Sequence, residues 1–245
     1  MLRPEKIFLS AEWRDLLMLN YEVDPARLQK YIPAGTELDS FNRNTYVSLV
    51  GFRFCDTKLL GMFPTPLHTE FEEINLRFYV RRLVCNEVRR GVVFIAEIVP
   101  KRAIAFAARF FYNENYVRRP MAHRVSSNDF KVEAEYSWKS GNQSCKLRAR
   151  AEGSPSLPME GSLEQFITEH YWGYSRQPSG ATVEYHVSHV PWKVWNATHA
   201  GFSGDTRDLY GDELSELLTK APVSAFIAHG SPVKVFRGSK LPSAH

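Results

Sequence analysis

Residues 90–116, RGVVFIAEIVPKRAIAFAARFFYNENY, decide how the rest of the chain is read. Residues 91–99 are apolar almost throughout and rich in β-branched side chains, the composition of a strand buried on both faces. One acid, Glu97, interrupts them. Pro100 ends the strand, and 101–112 reads as a short helix, Ala-rich and apolar over most of its circumference. A helix that is apolar all round is buried. Strand and helix together therefore form the centre of the fold.

On the N-terminal side of this centre, residues 71–81 alternate with period two. Ile74, Leu76, Phe78 and Val80 fall on one face, and Glu73, Asn75, Arg77, Tyr79 and Arg81 on the other. The polar row is either the wet face of a sheet or a stripe lining a cavity, as in barrels with ligand-filled interiors. The apolar row needs cover, and the apolar helix at 103–111 is expected to supply it, turning the polar row into the barrel. Charges held in a cavity must be paired or liganded. Glu73 and Arg77 are therefore expected to pair with each other or with Arg14, Glu97 or Arg109, leaving one arginine free for an anion.

Further strands are expected at 12–23 and 46–54, with Asp24-Pro25 opening a short helix between them. Beyond the centre, 131–138 and 145–151 form a hairpin with Lys131, Glu133 and Glu135 opposite Lys146, Arg148 and Arg150. Such cross-strand pairs stabilise by only ~0.2–1 kcal/mol each, so the hairpin reads as structural. Ser162 to Gln165 is a capping box opening a helix. Strands at 183–187, 224–228 and 233–236 and a helix at 209–218 complete the chain. Short strands dominate, with no repeat and no low-complexity linker. The expectation is one mainly β (α+β) domain over residues 1–245, whose strands close most easily as a barrel or half-barrel.

With 44% hydrophobic and 13% aromatic residues in 245, the chain can bury a large core. A net charge of +4 spread over scattered lysines and arginines gives no contiguous basic face, which argues against a nucleic-acid partner. Cys55, Cys85 and Cys145 are far apart with no CxxC, which argues against a disulfide framework or a structural zinc. The N-terminus lacks a signal-peptide core, and no apolar run approaches the ~20 residues of a membrane helix. A cytoplasmic protein without a membrane partner is expected.

His186 and His189 would lie on opposite faces of a strand. His68, Glu70 and Glu72 alternate, but at a loop-to-strand junction where charges are common. HExxH, GxSxG and Gly-rich phosphate loops are absent, so neither a metal nor another cofactor is expected. The aromatic cluster at 169–174, containing Tyr171, Trp172 and Tyr174, is a pocket wall, a subunit contact or the cover over one end of a core. The second of these leaves a homo-oligomer open. Glu97 carries more information: a carboxylate among Val, Ile and Phe must find a cation or donor, or keep its proton. Arg109 and Arg77 are its natural partners, and buried acids of this kind are enriched at functional sites.

VSLVGFRF (47–54), EINLRFYV (73–80), the opening stretch, ITEHYWGY (167–174) and SAFIAHGSPVKVF (224–236) resemble, in that order, the YqjF-like family of uncharacterised conserved bacterial proteins. The resemblance runs from about Trp13 to Gly238. That family is similar in fold to acetoacetate decarboxylase, which implies a cone-shaped antiparallel β-barrel with flanking short helices. The decarboxylase works through a lysine of lowered pKa that forms a Schiff base with the keto acid. Its lysine follows a proline just after the core helix, where this chain has Glu114, Asn115 and Tyr116. Lys101 also follows a proline, but it precedes the helix. Schiff-base decarboxylation is therefore not expected. The resemblance places Arg14 at the carboxylate-binding arginine and Glu73 near the active-site glutamate.

Together these readings give a small, carboxylate- or keto-bearing metabolite held in a barrel cavity. Arg14, Asn75, Arg77, Tyr79, Arg109 and Asn115 are the candidate ligand-binding residues. If the protein is an enzyme, Glu73 and Glu97 are the candidate acid and base. A non-catalytic binding or sensing module, or a structural protein with a filled barrel, are the alternatives.

Overall fold

The computed structural model describes residues 6–60, 63–64, 70–100, 115–128, 130–141 and 143–241. Its strands in chain order are β1 Ile7–Val23, β2 Glu37–Leu38, β3 Thr45–Leu59, β4 Phe63–Pro64, β5 Phe71–Val84, β6 Glu87–Val99, β7 Tyr116–Arg118 and β8 Met121–Asn128. There follow β9 Lys131–Ser140, β10 Gln143–Glu152, β11 Trp172–Arg176, β12 Thr182–Ser188, β13 Val194–Ser203, β14 Ser224–Phe236 and β15 Ser239–Lys240.

Seven of these strands close on themselves in the order β1, β3, β5, β6, β11, β12, β14 and back to β1. The closing contacts are Val187 opposite Val235 and Ser188 opposite Lys234. Closure removes the free edges that an open sheet would expose. All neighbours in the ring run antiparallel except β6 and β11, which pair in parallel at Gly91 and Val92. A barrel this tightly closed needs strands that bend. In β1 the register shifts between Arg14 and Leu17, where Asp15 takes a φ of 56°, a local kink that increases strand twist.

The two closing strands expected at 224–228 and 233–236 are one strand, β14. Gly230, at φ 83°, bends it without ending it. The Trp13 backbone lies so close that a Cβ on Gly230 would sit 1.9 Å from the Trp13 carbonyl oxygen.

A second sheet, in the order β13, β10, β9, β8, lies over the outside of the ring and is tied to it where β13 pairs with β14. Its hairpin, β9 and β10, was expected; its role as cover was not. Val132, Ala134, Tyr136, Trp138, Leu147, Ala149 and Ala151 point inward from it and share one core with Leu17, Leu19, Val47, Leu49, Ile74, Leu76, Phe78 and Val80 of the ring. The sheets meet closely at Gly51, where a Cβ would fall 2.9 Å from the Tyr136 ring. Helix Arg207–Leu218 adds Tyr210, Leu214 and Leu218 to the same core. The cover over the apolar row of β5 thus comes, among the described residues, from this hairpin and this helix. The helix expected at 101–112, with Arg109, lies outside the described residues.

The opposite face of the ring packs inward as a second cluster built from Ala11, Leu16, Met18, Tyr46, Val50, Phe52, Phe54, Phe71, Tyr79, Val92 and Val99. Helix Leu163–Thr168 caps this interior with Phe166 and Ile167. Its start follows the capping-box rule in part: Ser162 Oγ accepts from Gln165 N at 3.2 Å, but Gln165 Oε1 accepts from Gly161 N. No helix among the described residues is long and apolar enough to cross a membrane.

Candidate functional site

Alternation along β5 puts four polar side chains on the inner face, and all four are buried: Glu73 at 3% exposure, Asn75 at 2%, Arg77 at 8% and Tyr79 at 1%. Glu97, at 1%, stands opposite Asn75 on β6. Asn75 Nδ2 donates to Glu73 Oε1 at 2.9 Å, which uses one of the donors a buried amide must place.

Arg77 differs from its neighbours. Its Nη2 donates to the Ile167 carbonyl at 3.3 Å and approaches Met18 Sδ at 3.7 Å. Its Cζ lies 5.7 Å from the centre of the Tyr79 ring. Its Nε is buried with no hydrogen-bond partner. Among the described residues no carboxylate pairs with it, and its contacts there are one carbonyl, a thioether and an aromatic face. Glu73 and Arg77 do not pair with each other; Arg109, another of the partners expected for them, lies outside the described residues.

The other candidates fall elsewhere. Arg14 lies on the outer face, half-buried, and holds Glu12 at 2.6 Å. It stands opposite Arg53 on β3, which pairs with Asp15 at 2.6 Å. The exposed Asn115 donates from Nδ2 to the Ile95 carbonyl at 3.2 Å, and its own carbonyl accepts from Glu97 N at 2.9 Å. Of the aromatic cluster, Tyr174 donates to Glu184 Oε1 at 3.0 Å. Arg82 and Arg89 also hold that carboxylate, and Arg89 lies 4.1 Å over the Trp172 ring. Tyr171 packs on His189, whose ring is 4.1 Å from that of Trp192.

Two buried polar groups next to Arg77 went unread in the sequence. The first is a chain of hydroxyls. Ser48 Oγ donates to Asn20 Oδ1 at 2.6 Å, so the Tyr79 hydroxyl, 2.5 Å away, donates to Ser48. Ser48 and Asn20 are each a lone polar residue in an apolar strand, the same signal that picked out Glu97, and Tyr79 joins them from the polar row of β5. The second is a dyad. His170 Nε2 lies 3.3 Å from Asp39 Oδ2, which Arg90 Nε also reaches at 2.7 Å. Burial alone would raise the Asp39 pKa, but hydrogen bonds from His170 and Arg90 and the Arg90 charge hold it down at about 2. Burial pushes the His170 pKa down to about 4 against the pull of Asp39. The ionised Asp39 therefore faces a neutral imidazole with its proton on Nε2. The His170 ring packs 4.7 Å from Tyr79 and 5.0 Å from Phe166. A groove of about 280 Å³ beside helix Leu163–Thr168 is walled by Phe41, Phe166 and Arg90. Among the described residues no group of three or more His, Cys, Asp or Glu is placed to hold a metal ion.

The closed ring with an outer sheet over one face is the acetoacetate-decarboxylase-like fold. The acetoacetate decarboxylase of Legionella pneumophila subsp. pneumophila str. Philadelphia 1 matches with a TM-score of 0.64 at 14% identity, over 96% of this chain and 87% of that one. An acetoacetate decarboxylase-like enzyme from Sphingomonas wittichii RW1 matches at 0.66 and 14%, over 96% and 94%. The enduracididine biosynthesis enzyme MppR, complexed with pyruvate, matches at 0.64 and 13%, over 99% and 92%. Within that fold the chain belongs to the DUF2071 family of uncharacterized conserved proteins, whose model matches residues 10–232. It is 24% identical over 215 residues to the uncharacterized protein YqjF of Bacillus subtilis (strain 168), covering 87% of this chain and 86% of that protein.

Proposed function

We propose that the barrel interior binds a small metabolite carrying a carboxylate, with Arg77 as the residue that holds the anion and without a Schiff base to the protein. The observation that carries this reading is Arg77 itself: a guanidinium 8% exposed, with an unpartnered Nε and no carboxylate paired to it among the described residues. An uncompensated buried charge costs several kcal/mol, and a bound anion removes that cost through a charge-assisted hydrogen bond. The pyruvate bound by MppR, a protein of the same fold, is a ligand of this chemical kind. Glu73 and Glu97 on the same face add the acids a proton transfer would need next to such a ligand, with Asn75 donating to Glu73. That juxtaposition favours a catalytic version of the reading over a purely sensing one.

The test is a thermal-shift and calorimetric comparison of pyruvate, acetoacetate and other short acids with their methyl esters. A ligand at 100 times its Kd stabilises by about 2.7 kcal/mol. The acids are expected to stabilise the protein and the esters not to. Equal effects of acid and ester, or none from either, would show that no anion is bound.

A further inference from the structure

The Asp39–His170 dyad borders the interior that holds Arg77, and its chemistry selects among carboxylates. Ionised Asp39 and Nε2 of His170 are 3.3 Å apart, which puts the imidazole proton on Nε2. Nδ1 is then a bare acceptor. It is buried and has no hydrogen-bond partner, while the His170 side chain is only 1% exposed. A buried acceptor without a donor is costly and rare in folded proteins. Its ring packs 4.7 Å from that of Tyr79, and the Arg77 guanidinium lies 5.7 Å from the same Tyr79 ring. Ile167, which accepts from Arg77, stands three residues before His170.

We propose that Nδ1 of His170 is the second pole of the ligand site and accepts a hydrogen bond from a neutral donor on the ligand. The ligand class is then a short-chain hydroxy acid, its carboxylate on Arg77 and its hydroxyl on His170. An ammonium donor is disfavoured because the Arg77 and Arg90 guanidiniums both raise the local potential. Tyr79 is already committed as a donor to Ser48 and does not compete for Nδ1. This inference rests on the anion reading of Arg77 and adds the identity of the ligand's second group.

Binding of matched pairs separates the two. The probes are 3-hydroxybutyrate with butyrate, and lactate with propionate, titrated calorimetrically into the wild-type protein and into His170→Phe and Arg77→Met. His170→Phe keeps an aromatic ring against Tyr79 and Phe166. In the wild type, one member of the hydroxy series is expected to bind about tenfold more tightly than its parent acid, the scale of one net hydrogen bond. In His170→Phe that preference disappears while the parent acid still binds; in Arg77→Met both are lost. Equal binding of hydroxy and parent acids, or a preference that survives His170→Phe, overturns the inference and leaves the Arg77 reading intact. No binding of any of the four acids removes both. Should His170→Phe not fold, nitrogen NMR of the wild-type His170 decides: the Nδ1 resonance shifts with the hydroxy acid alone, and an unmoved resonance at saturation overturns the inference.

Discussion

His170 makes the stability of this protein fall as the solution is acidified through the range where an exposed histidine takes up its proton. Burial, partly offset by Asp39, pushes its pKa down from 6.5 to about 4. Between those two values the unfolded chain carries a proton at this residue and the folded chain does not. The unfolded state therefore binds more protons, so the free energy of unfolding rises with pH and is lost on acidification. At about 1.4 kcal/mol for each pH unit, the window corresponds to roughly 3 kcal/mol. Asp39 acts in the same direction but lower: its pKa is held at about 2 against an ordinary 3.8, so its contribution is lost only as pH falls through that range. His189 is also pushed down to about 4 by burial and forms a common background. Urea unfolding of wild type and His170→Phe at a series of pH values isolates the His170 part. Relative to the variant, the wild type is expected to lose roughly 3 kcal/mol between about pH 6.5 and about pH 4. Parallel stability curves for the two proteins, or an NMR titration placing the His170 pKa near its ordinary value, would refute the reasoning.

Ser48→Ala leaves the buried Tyr79 hydroxyl and Asn20 Oδ1 without their shared partner; a loss of about 1–3 kcal/mol is expected in chemical denaturation, and Tyr79→Phe made in that background should recover part of it. Gly230→Ala forces a Cβ into the Trp13 carbonyl at a φ of 83°, so the variant should be severely destabilised or insoluble, whereas Gly180→Ala, where nothing lies within 4 Å, should cost only the strain of its φ. Borohydride added with acetoacetate is expected to leave the intact mass unchanged; an adduct, above all on Lys101, would show Schiff-base chemistry that the exposed Asn115 does not support.

The period-two pattern of residues 71–81 was legible because both faces of β5 are buried, one against the outer sheet and one inside the ring, and each face has its own chemistry. What covered the apolar face was not legible. Tyr136, Trp138 and Leu147 alternate with charged residues as any half-wet hairpin does, and nothing local says which surface they meet. The strands expected at 224–228 and 233–236 are one strand because the chain continues through Gly230, where Trp13 approaches too closely for any side chain. Arg14 lies next to the kink at Asp15, half-buried, and pairs with Glu12, a contact two residues away that the alternation of β1 alone does not reveal. Asp39 and His170 lie 131 residues apart in the chain, so their pairing had no sequence signature.

Arg77→Met tests the central claim most directly, because it separates an anion-binding charge from a structural one. Methionine fills similar space beside Met18 and Ile167 without burying an unpaired cation. If Arg77 awaits a ligand, the variant should be as stable as the ligand-free wild type or more so, in line with the neutral-to-favourable outcome of replacing buried charge by apolar side chains, and should gain no stability from any carboxylate that stabilises the wild type. A variant that loses more than about 2 kcal/mol of stability yet responds to the same carboxylates as the wild type would contradict the account.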